Sequence, residues 1–361
     1  MTLEEAIAKI KPLDHNAMEI AQKRWDSIAK PLHSLGKLET LLIQIAGITG
    51  NAEVDLSRRG LIAMCADNGV VEEGVTQTGQ EVTAIVAENF LKYDTSVGVM
   101  CKQNHAEIFP VDMGMVTDTK VRTDHKIAYG TQNMTKGPAM TREQAVKGLE
   151  AGIDMVRELN DKGYRILATG EMGIGNTTPA AAMSAVLTGL PPEEATGRGA
   201  GLSDAGLEKK KKAVEMAVSR FYGKYPEYRN GTKEQYESGE LSAVTVLAEL
   251  GGFDLAGMTG LFLGGAAAKI PVLMDGFLST VSGLLAVLIR KEAKDYIFAS
   301  HISTEPAGAA ILQMLDLPAP LHMGMHLGEG SGAVAMIPLL RMGAKVYEEM
   351  STFSDISVEQ Y

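Results

Sequence analysis

The chain has 361 residues, of which 45% are hydrophobic and 22% are charged. This composition predicts a large aliphatic core and excludes a disordered chain or a coiled coil. The formal net charge of -11 argues against a nucleic-acid-binding protein, which would need a basic face towards the phosphates.

The hydropathy pattern argues against a membrane protein. The longest apolar window, 276–289, contains several polar residues and falls short of the ~20 residues that span a bilayer. The first residues lack the basic and apolar segments of a secretory signal. The two cysteines, Cys65 and Cys101, have apolar neighbours typical of a core. We therefore expect a cytoplasmic protein whose thiols are reduced.

Residues 1–50 are predicted to be helical. Leu38, Leu41, Leu42 and Ile45 recur at helical spacing and share one face. This segment is therefore expected to pack against the rest of the chain.

From residue 51 onward, short apolar runs that end in glycine, acidic or amide residues alternate with helical segments. Continuous apolar strands joined by helices predict an α/β fold with a parallel sheet covered on both faces. Such sheets bind ligands outside the carboxyl ends of their strands, so the polar groups that follow the strands are expected at one edge. The predicted strands are 61–66, 106–111, 165–169, 271–274 and 296–299.

A loop with three glycines, 170–179, joins the third strand to a helix. Thr178 is predicted as the N-cap and Pro179 as the first helical residue. Free backbone N–H groups at a helix N-terminus favour an anion, so this loop is predicted to bind phosphate. It lacks the Gly-Lys-Ser/Thr of a Walker A loop and the third glycine of a dinucleotide fingerprint. A tight turn without a ligand is the alternative.

A second loop places the carboxylate of Glu329 between Gly328 and Gly330, just before an apolar helical run at 334–337. The glycines allow tight backbone conformations and a close approach to a ligand. Glu171 follows the third strand and is expected to face the same crevice. Two such carboxylates suggest acid–base chemistry or stabilisation of a cation, and two unrelated solvated acids are the alternative.

The histidines do not predict a metal site. His322 and His326 lack a pattern of the HExxH kind, and His301 is expected to belong to the core or a loop. Glu305 is followed by proline and is predicted to open a helix.

A basic run, 209–212, precedes a predicted helix that reaches Phe221. Most of its lysines are expected on a solvated face, and one of them could turn inward to a phosphate. The following stretch, 221–240, has no clear periodicity and is predicted to be a surface excursion.

Taken together, these segments resemble the nicotinate-nucleotide:dimethylbenzimidazole phosphoribosyltransferase family over nearly the whole chain. The resemblance is carried by PLHSLGKLE at 31–39, GEMGIGNTTPAAA at 170–182, GGFD at 251–254, MTG at 258–260 and LGEGSG at 327–332.

The resemblance implies transfer of the phosphoribosyl group of nicotinate mononucleotide to 5,6-dimethylbenzimidazole with inversion at C1′. The products would be nicotinate and α-ribazole 5′-phosphate, used to assemble the nucleotide loop of cobalamin. Glu329 would be the general base that takes the N–H proton of the benzimidazole. Glu171 would sit near the reacting centre and steady oxocarbenium-like charge.

The same resemblance implies the binding residues. Asp67 and Thr78 would approach the incoming base. The 5′-phosphate and ribose would be held by Gly175, Asn176, Thr177, Lys210 and Ser303.

The family's fold is a Rossmann-like, mostly parallel sheet flanked by helices, with a small helical domain built from the chain ends. The expected division is 1–50 with 335–361 as the small domain and 51–334 as the large catalytic domain. The resemblance also implies a homodimer that uses no cofactor and no metal.

Four departures from the family pattern bear on the acceptor. Asn68 stands where a histidine is common, and His33 replaces a usual glycine. The segments 76–80 and 93–96 are also atypical. The two loops named first, around Asn68 and His33, are expected near the incoming base, so adenine, another substituted benzimidazole or a phenol remain alternative acceptors.

Two functions of other classes remain open on the residues alone. A nicotinamide-dinucleotide oxidoreductase shares the sheet pattern and the glycine loop. A nucleotide sensor would bind the same substrate without turning it over.

Overall fold

The structure is a computed structural model that describes residues 1–360. Its centre is a five-stranded sheet in the order β2-β1-β3-β4-β5, in which every neighbouring pair is parallel. All residues of β1 are buried, so helices cover both faces. The predicted α/β fold and its five strands are confirmed. The strands are β1 (Arg59–Ala66), β2 (Ala106–Gly114), β3 (Ile166–Met172), β4 (Val272–Met274) and β5 (Ile297–Ala299).

The strand order changes direction beside β1. From β1 the chain runs outward to β2, and it then returns to place β3, β4 and β5 on the other side. The chain leaves the carboxyl end of β1 towards β2 on one side and that of β3 towards β4 on the other, and open α/β sheets bind ligands at such a switch point. Glu171 lies opposite Met64 of β1 in the register of β3.

The helices connect these strands and extend beyond them. None of the helices within residues 1–360 is long and apolar enough to cross a membrane. In chain order the helices are α1 (Leu3–Lys9), α2 (His15–Ser27), α3 (Lys37–Thr49), α4 (Glu81–Lys92), α5 (Ser96–Asn104), α6 (Arg142–Asp161), α7 (Thr177–Thr188), α8 (Pro192–Ala195), α9 (Asp204–Lys224), α10 (Lys233–Glu237), α11 (Ala243–Leu250), α12 (Phe253–Ala268), α13 (Phe277–Ile289), α14 (Pro306–Leu315) and α15 (Ser331–Glu349). Short 3-10 turns cover Gly69–Glu73, Pro226–Asn230 and Lys291–Tyr296.

Helix α12 forms the centre of the core and packs closely against α6. A Cβ atom at Gly152 would lie 2.1 Å from the carbonyl oxygen of Gly257, and one at Gly260 would lie 2.0 Å from that of Leu149. Only glycine fits at these two contacts, because real Cβ atoms do not approach backbone so closely. The two helices therefore bring the residues of α12 directly behind the sheet.

The two ends of the chain pack together. Trp25 of α2 and Tyr347 of α15 lie with their ring centroids 5.2 Å apart, and α3 packs against both α2 and α15. This contact fits the predicted small helical domain of 1–50 and 335–361, although α1 packs against α6 and α12 of the larger body. The division into these two domains therefore stays a prediction.

The segment 221–240 lies at the surface, as predicted, since most of its residues are exposed or half-buried, but it is more ordered than the sequence indicates. Helix α9 continues to Lys224, and Phe221, Tyr228 and Tyr236 are buried. The rings of Phe221 and Tyr228 pack with centroids 5.1 Å apart. The polar residues between these aromatic side chains hide the pattern in the sequence.

Candidate active site

A cavity of about 330 Å³ opens beside the carboxyl ends of β3, β4 and β5. It lies next to the switch point of the sheet, where the strand order predicts a ligand. Both glycine-bearing loops line it, so the structure brings Glu171 and Glu329 to the same site. The lining residues with reactive or binding groups include Glu171, Asn176, Asp275, His301, Ser303 and Glu329.

Glu329 is held in a left-handed turn. It has a φ of 62°, between Gly328 at 89° and Gly330 at 97°. A non-glycine residue in this conformation is strained, and such strain is typical of functional sites. Its Oε2 atom accepts a hydrogen bond of 3.1 Å from the backbone N–H of Val97, in the first turn of α5. The carboxylate is thus fixed through one oxygen.

Asp275 anchors the backbone that carries Glu329. Its carboxylate accepts hydrogen bonds from the N–H groups of Gly330 (3.0 Å), Gly332 (2.7 Å) and Ala333 (3.2 Å). These donors belong to the start of α15, so Asp275 satisfies its unpaired N–H groups and interacts favourably with the helix dipole. Burial raises the pKa of Asp275, and the nearby imidazole of His301 opposes this shift.

Glu171 belongs to a buried pair of carboxylates. The side-chain nitrogen of Asn176 donates to Oε2 of Glu171 at 2.5 Å and to Oδ2 of Asp254 at 2.8 Å. Burial, reinforced by the charge of Asp254, raises the pKa of Glu171 to about 8. Burial likewise raises the pKa of Asp254 to about 6. One amide therefore holds two carboxylates that resist being ionised together.

The backbone N–H of Glu329 also points to this pair, since it lies 3.4 Å from Oε1 of Glu171. A Cβ atom at Gly328 would lie 2.5 Å from the same oxygen. The glycine loop therefore rests on the Glu171 carboxyl group, and glycine is required at 328 for this approach. Glu171 and Glu329, which the sequence analysis expected in one crevice, are therefore neighbours in the structure.

Helix α7 begins at Thr177, two residues before Pro179, which the sequence predicted as its first residue. Asn176 precedes the helix, Thr177 opens it, and Thr178 is already its second residue, so the prediction of Thr178 as the N-cap is wrong. Pro179 is the third helical residue rather than the first. The Asn176 side chain is engaged by the two carboxylates and makes no cap, which leaves the helix N-terminus open towards the cavity.

Lys210 is the lysine of the basic run that turns inward. It is fully buried and donates from Nζ to Oγ1 of Thr177 at 2.8 Å and to the carbonyl oxygen of Gly197 at 2.9 Å. Burial lowers the pKa of Lys210 to about 8, and Glu305 acts in the opposite direction. Lys210 lies behind Thr177 and does not line the cavity itself.

Ser303 and Glu305 close the same end of the cavity. The hydroxyl of Ser303 accepts from the backbone N–H of Glu305 at 3.3 Å. Glu305 precedes α14, as the sequence predicts, and its Oε1 atom accepts from the N–H of Gly199 at 2.8 Å. Gly175, with a φ of 89°, also lines the cavity.

The two residues predicted to approach the incoming base lie in different places. Thr78 lines the cavity, whereas Asp67 is fully buried outside its lining. The Oδ2 atom of Asp67 accepts from the N–H of Val116 at 2.8 Å, and burial raises the pKa of Asp67. Asp67 lies at the predicted edge of the sheet, just after β1, but the segment after β2 covers it.

Three features of the site were missed by the sequence reasoning. These are the Val97 N–H, the bridging role of Asn176 towards Asp254, and Arg198 in the cavity wall. Only Arg198 carried a signal, because glycines flank it on both sides. Within the part of the chain that the structure describes, no group of three or more His, Cys, Asp or Glu side chains could hold a metal ion.

Comparisons with known proteins agree with this geometry. The DBI_PRT family model, described as phosphoribosyltransferase, matches residues 10–358. The nicotinate-nucleotide--dimethylbenzimidazole phosphoribosyltransferase of Ruminiclostridium cellulolyticum is 43% identical, over 100% of this chain and 99% of that protein. The protein of the same name from Clostridium acetobutylicum is 41% identical, again over 100% and 99%. The crystal structure of CobT from Thermus thermophilus superposes with a TM-score of 0.86 at 36% identity, covering 96% of this chain and all of that one.

Proposed function

The chain belongs to the nicotinate-nucleotide:dimethylbenzimidazole phosphoribosyltransferase family, and we propose that Glu329 is the general base of its reaction. The phosphoribosyl group of nicotinate mononucleotide passes to 5,6-dimethylbenzimidazole with inversion at C1′. The products are nicotinate and α-ribazole 5′-phosphate, for the nucleotide loop of cobalamin.

The observation that carries the proposal is the fixed carboxylate of Glu329 in the cavity wall. Oε2 is occupied by the Val97 N–H, which leaves Oε1 to accept a proton. One nitrogen of the acceptor attacks C1′ while Glu329 removes the proton from the other nitrogen. The C1′–N bond to nicotinate breaks, and its electron pair neutralises the pyridinium nitrogen. A cationic leaving group departs readily, so this step needs no metal.

Glu171 and Asp254 are proposed to stabilise positive charge on the ribose. The pKa of Glu171 is raised to about 8, so Glu171 is largely protonated in the empty site near neutral pH. A bound pyridinium or an oxocarbenium-like ribose favours the ionised form instead. Binding of the cationic pyridinium would therefore release the Glu171 proton to solvent, so that the carboxylate is already negative when positive charge develops on the ribose.

The 5′-phosphate is proposed to bind at the open N-terminus of α7. The backbone of Gly175, Asn176 and Thr177 and the hydroxyl of Ser303 face one end of the cavity. Helix N-termini favour anions through their free N–H groups and their dipole. Lys210 supports this end from behind through Thr177.

The acceptor base is proposed to enter beside Thr78, on the side of Glu329. Asp67 would act there indirectly, by holding the backbone after β2 through Val116. Adenine, another benzimidazole or a phenol stays an alternative acceptor, because the segments around this wall depart from the family pattern. With a phenol, Glu329 would remove the proton from oxygen.

We further propose that the protein is a cytoplasmic homodimer that binds no nucleic acid and uses no cofactor or metal. Residues 1–50 and 335–361 are proposed to form a small helical domain, and residues 51–334 the catalytic domain. The acidic net charge of -11 supports the absence of nucleic acid. The exposed apolar side chains of Ile85 and Val99, on α4 and α5 beside the site, are suited to a subunit contact. Light scattering of the purified protein tests the dimer.

The test of function is a competition assay. The protein is incubated with nicotinate mononucleotide and equimolar dimethylbenzimidazole, benzimidazole, adenine, phenol and p-cresol, and products are resolved by mass. Predominance of α-ribazole phosphate supports the proposal, and a purine or phenolic product moves the enzyme to the alternative acceptor. Binding of nicotinate mononucleotide without any riboside phosphate product would contradict transfer and indicate a sensor.

A further inference from the structure

Acidic side chains outnumber basic ones in the cavity wall, although the substrate carries a phosphate. Glu171, Asp275, Glu305 and Glu329 all line it. Arg198 is the only lysine or arginine among the described residues of its lining. A phosphate monoester brings a further charge of about -1.5 to -2 near neutral pH, so a permanent cation at its binding site matters for affinity.

Lys210 does not supply that cation by itself. Two of its three donors are taken by Thr177 and Gly197, and it has no exposed surface. Burial lowers the pKa of Lys210 to about 8, and its charge is balanced by Glu305. Its influence on a bound phosphate passes through the hydroxyl of Thr177.

Arg198 is held at the cavity wall by weak partners. Its guanidinium donates to the carbonyl oxygen of Leu202 at 2.8 Å and to the carboxylate of Asp204. The side chain of Asp204 is 92% exposed and that of Arg198 is 49% exposed. A pair this exposed to water is only weakly stabilising, so exchanging Asp204 for a phosphate costs little.

The backbone on both sides of Arg198 is tied to the proposed phosphate end of the cavity, through Gly197 to Lys210 and through Gly199 to Glu305. Gly199 and Gly201 have φ angles of 52° and 91°, in the left-handed region that favours glycine. Gly199 also lies beside Thr177 and Lys210, at the end of the cavity where the phosphate is proposed to bind. An arginine one residue away is within reach of the same anion.

We propose that Arg198 selects the phosphorylated substrate by leaving Asp204 and binding the 5′-phosphate of nicotinate mononucleotide. Its planar guanidinium can pair with two phosphate oxygens, which a lysine cannot do. The enzyme then distinguishes the nucleotide from the corresponding riboside. This inference rests on the proposed function, since it assumes that nicotinate mononucleotide occupies the cavity.

The test compares nicotinate mononucleotide with nicotinate riboside in the wild type and in Arg198→Ala. A charge-assisted hydrogen bond contributes about 1.5–3 kcal/mol, which corresponds to a ~10- to 100-fold loss. We expect the kcat/KM for the nucleotide to fall by that factor, mainly through KM, while the value for the riboside is unchanged. Arg198→Lys should recover part of the loss.

Two variants serve as matched controls. Lys211→Ala removes one positive charge from α9, where Lys211 pairs with Glu193 and Glu208, and should leave both substrates unaffected. Asp204→Asn removes the negative charge that pairs with Arg198, so this variant should bind the nucleotide at least as tightly as the wild type. Equal losses for nucleotide and riboside in Arg198→Ala would mean that Arg198 only supports the loop, and would overturn the proposal, as would no loss for either.

Calorimetric binding of nicotinate mononucleotide without an acceptor separates this inference from the proposed function. If the wild type binds the nucleotide but forms no product, the proposed function fails while Arg198 is still tested by affinity. Loss of that affinity in Arg198→Ala, at an unchanged melting temperature, supports the phosphate contact. Unchanged affinity refutes it.

Discussion

The Oε2 atom of Glu329 lies 3.1 Å from the backbone nitrogen of Val97, a residue 232 positions away in the chain. The donor belongs to the first turn of α5, whose free N–H groups carry partial positive charge. This contact sets the direction of the carboxylate and leaves its other oxygen for the proton. Helix α5 is therefore a positioning element for the proposed base.

Replacing Val97 by proline removes this donor. We expect turnover to fall by about tenfold, because a charge-assisted hydrogen bond that orients the base is lost. Affinity for nicotinate mononucleotide should change little, since the proposed phosphate site lies on α7. Steady-state kinetics and calorimetry measure the two effects.

Ser96→Pro is the matched control. It places proline at the first position of α5, where a missing N–H is tolerated, and it keeps the Val97 donor. Proline at 97 also disfavours a helical conformation at Ser96, so both variants need the same melting temperature check. Equal turnover in the two variants would refute the role of the Val97 N–H.

Removal of the Glu329 carboxylate tests the base directly. Glu329→Ala and Glu329→Gln should lower turnover by ~10²-fold or more, the magnitude of general-base catalysis. Nicotinate mononucleotide should still bind, because its phosphate contacts are elsewhere. Glu348→Gln, at the exposed far end of α15, is the control and should be unaffected. A near-normal rate in either Glu329 variant would exclude Glu329 as the base.

The sequence predicted the sheet well because parallel strands buried on both faces are continuous apolar runs. It also predicted that strand ends would gather polar groups at one edge. The sequence did not predict which strand ends would stay open to the cavity. Asp67 follows β1 and Glu171 is the penultimate residue of β3 at that edge, yet Asp67 is covered by the segment after β2.

Contacts that use backbone donors left no trace in the sequence. The Val97 N–H that holds Glu329 and the three N–H groups that hold Asp275 depend on how distant segments meet. A side chain can be recognised by its type, whereas every residue except proline has the same N–H group. Asn176 was predicted to bind the phosphate. Its hydrogen bond to Asp254 could not be inferred, because this bond joins the start of α7 to α12.

The raised pKa of Glu171 makes the stability of the protein depend on pH. Burial and the charge of Asp254 raise it from an ordinary value of 4.5 to about 8. A carboxyl group with a raised folded-state pKa contributes stability below its unfolded pKa, and that stability is lost as the pH rises through the folded value. We expect the free energy of unfolding to decrease as the pH rises from 4.5 to about 8.

Glu171→Gln should flatten this dependence, because the amide cannot ionise and its oxygen can still accept from Asn176. Urea unfolding across the window measures the slope for both proteins. Glu107→Gln, at an exposed position on β2, controls for the loss of a carboxylate. Identical slopes in the wild type and Glu171→Gln would contradict the buried, proton-binding state of Glu171.

Asp275 links stability and catalysis, because its carboxylate holds three N–H groups of the turn that carries Glu329 and starts α15. In Asp275→Asn one oxygen becomes an NH₂ group that faces a backbone donor, so part of this cap is lost. We expect a loss of about 1–3 kcal/mol in the free energy of unfolding, together with lower turnover as the Glu329 turn loosens. Asp316→Asn, at a 95% exposed position paired with Lys294, should change neither property. Matching unfolding curves for the two variants would show that the contact between Asp275 and α15 does not stabilise the turn.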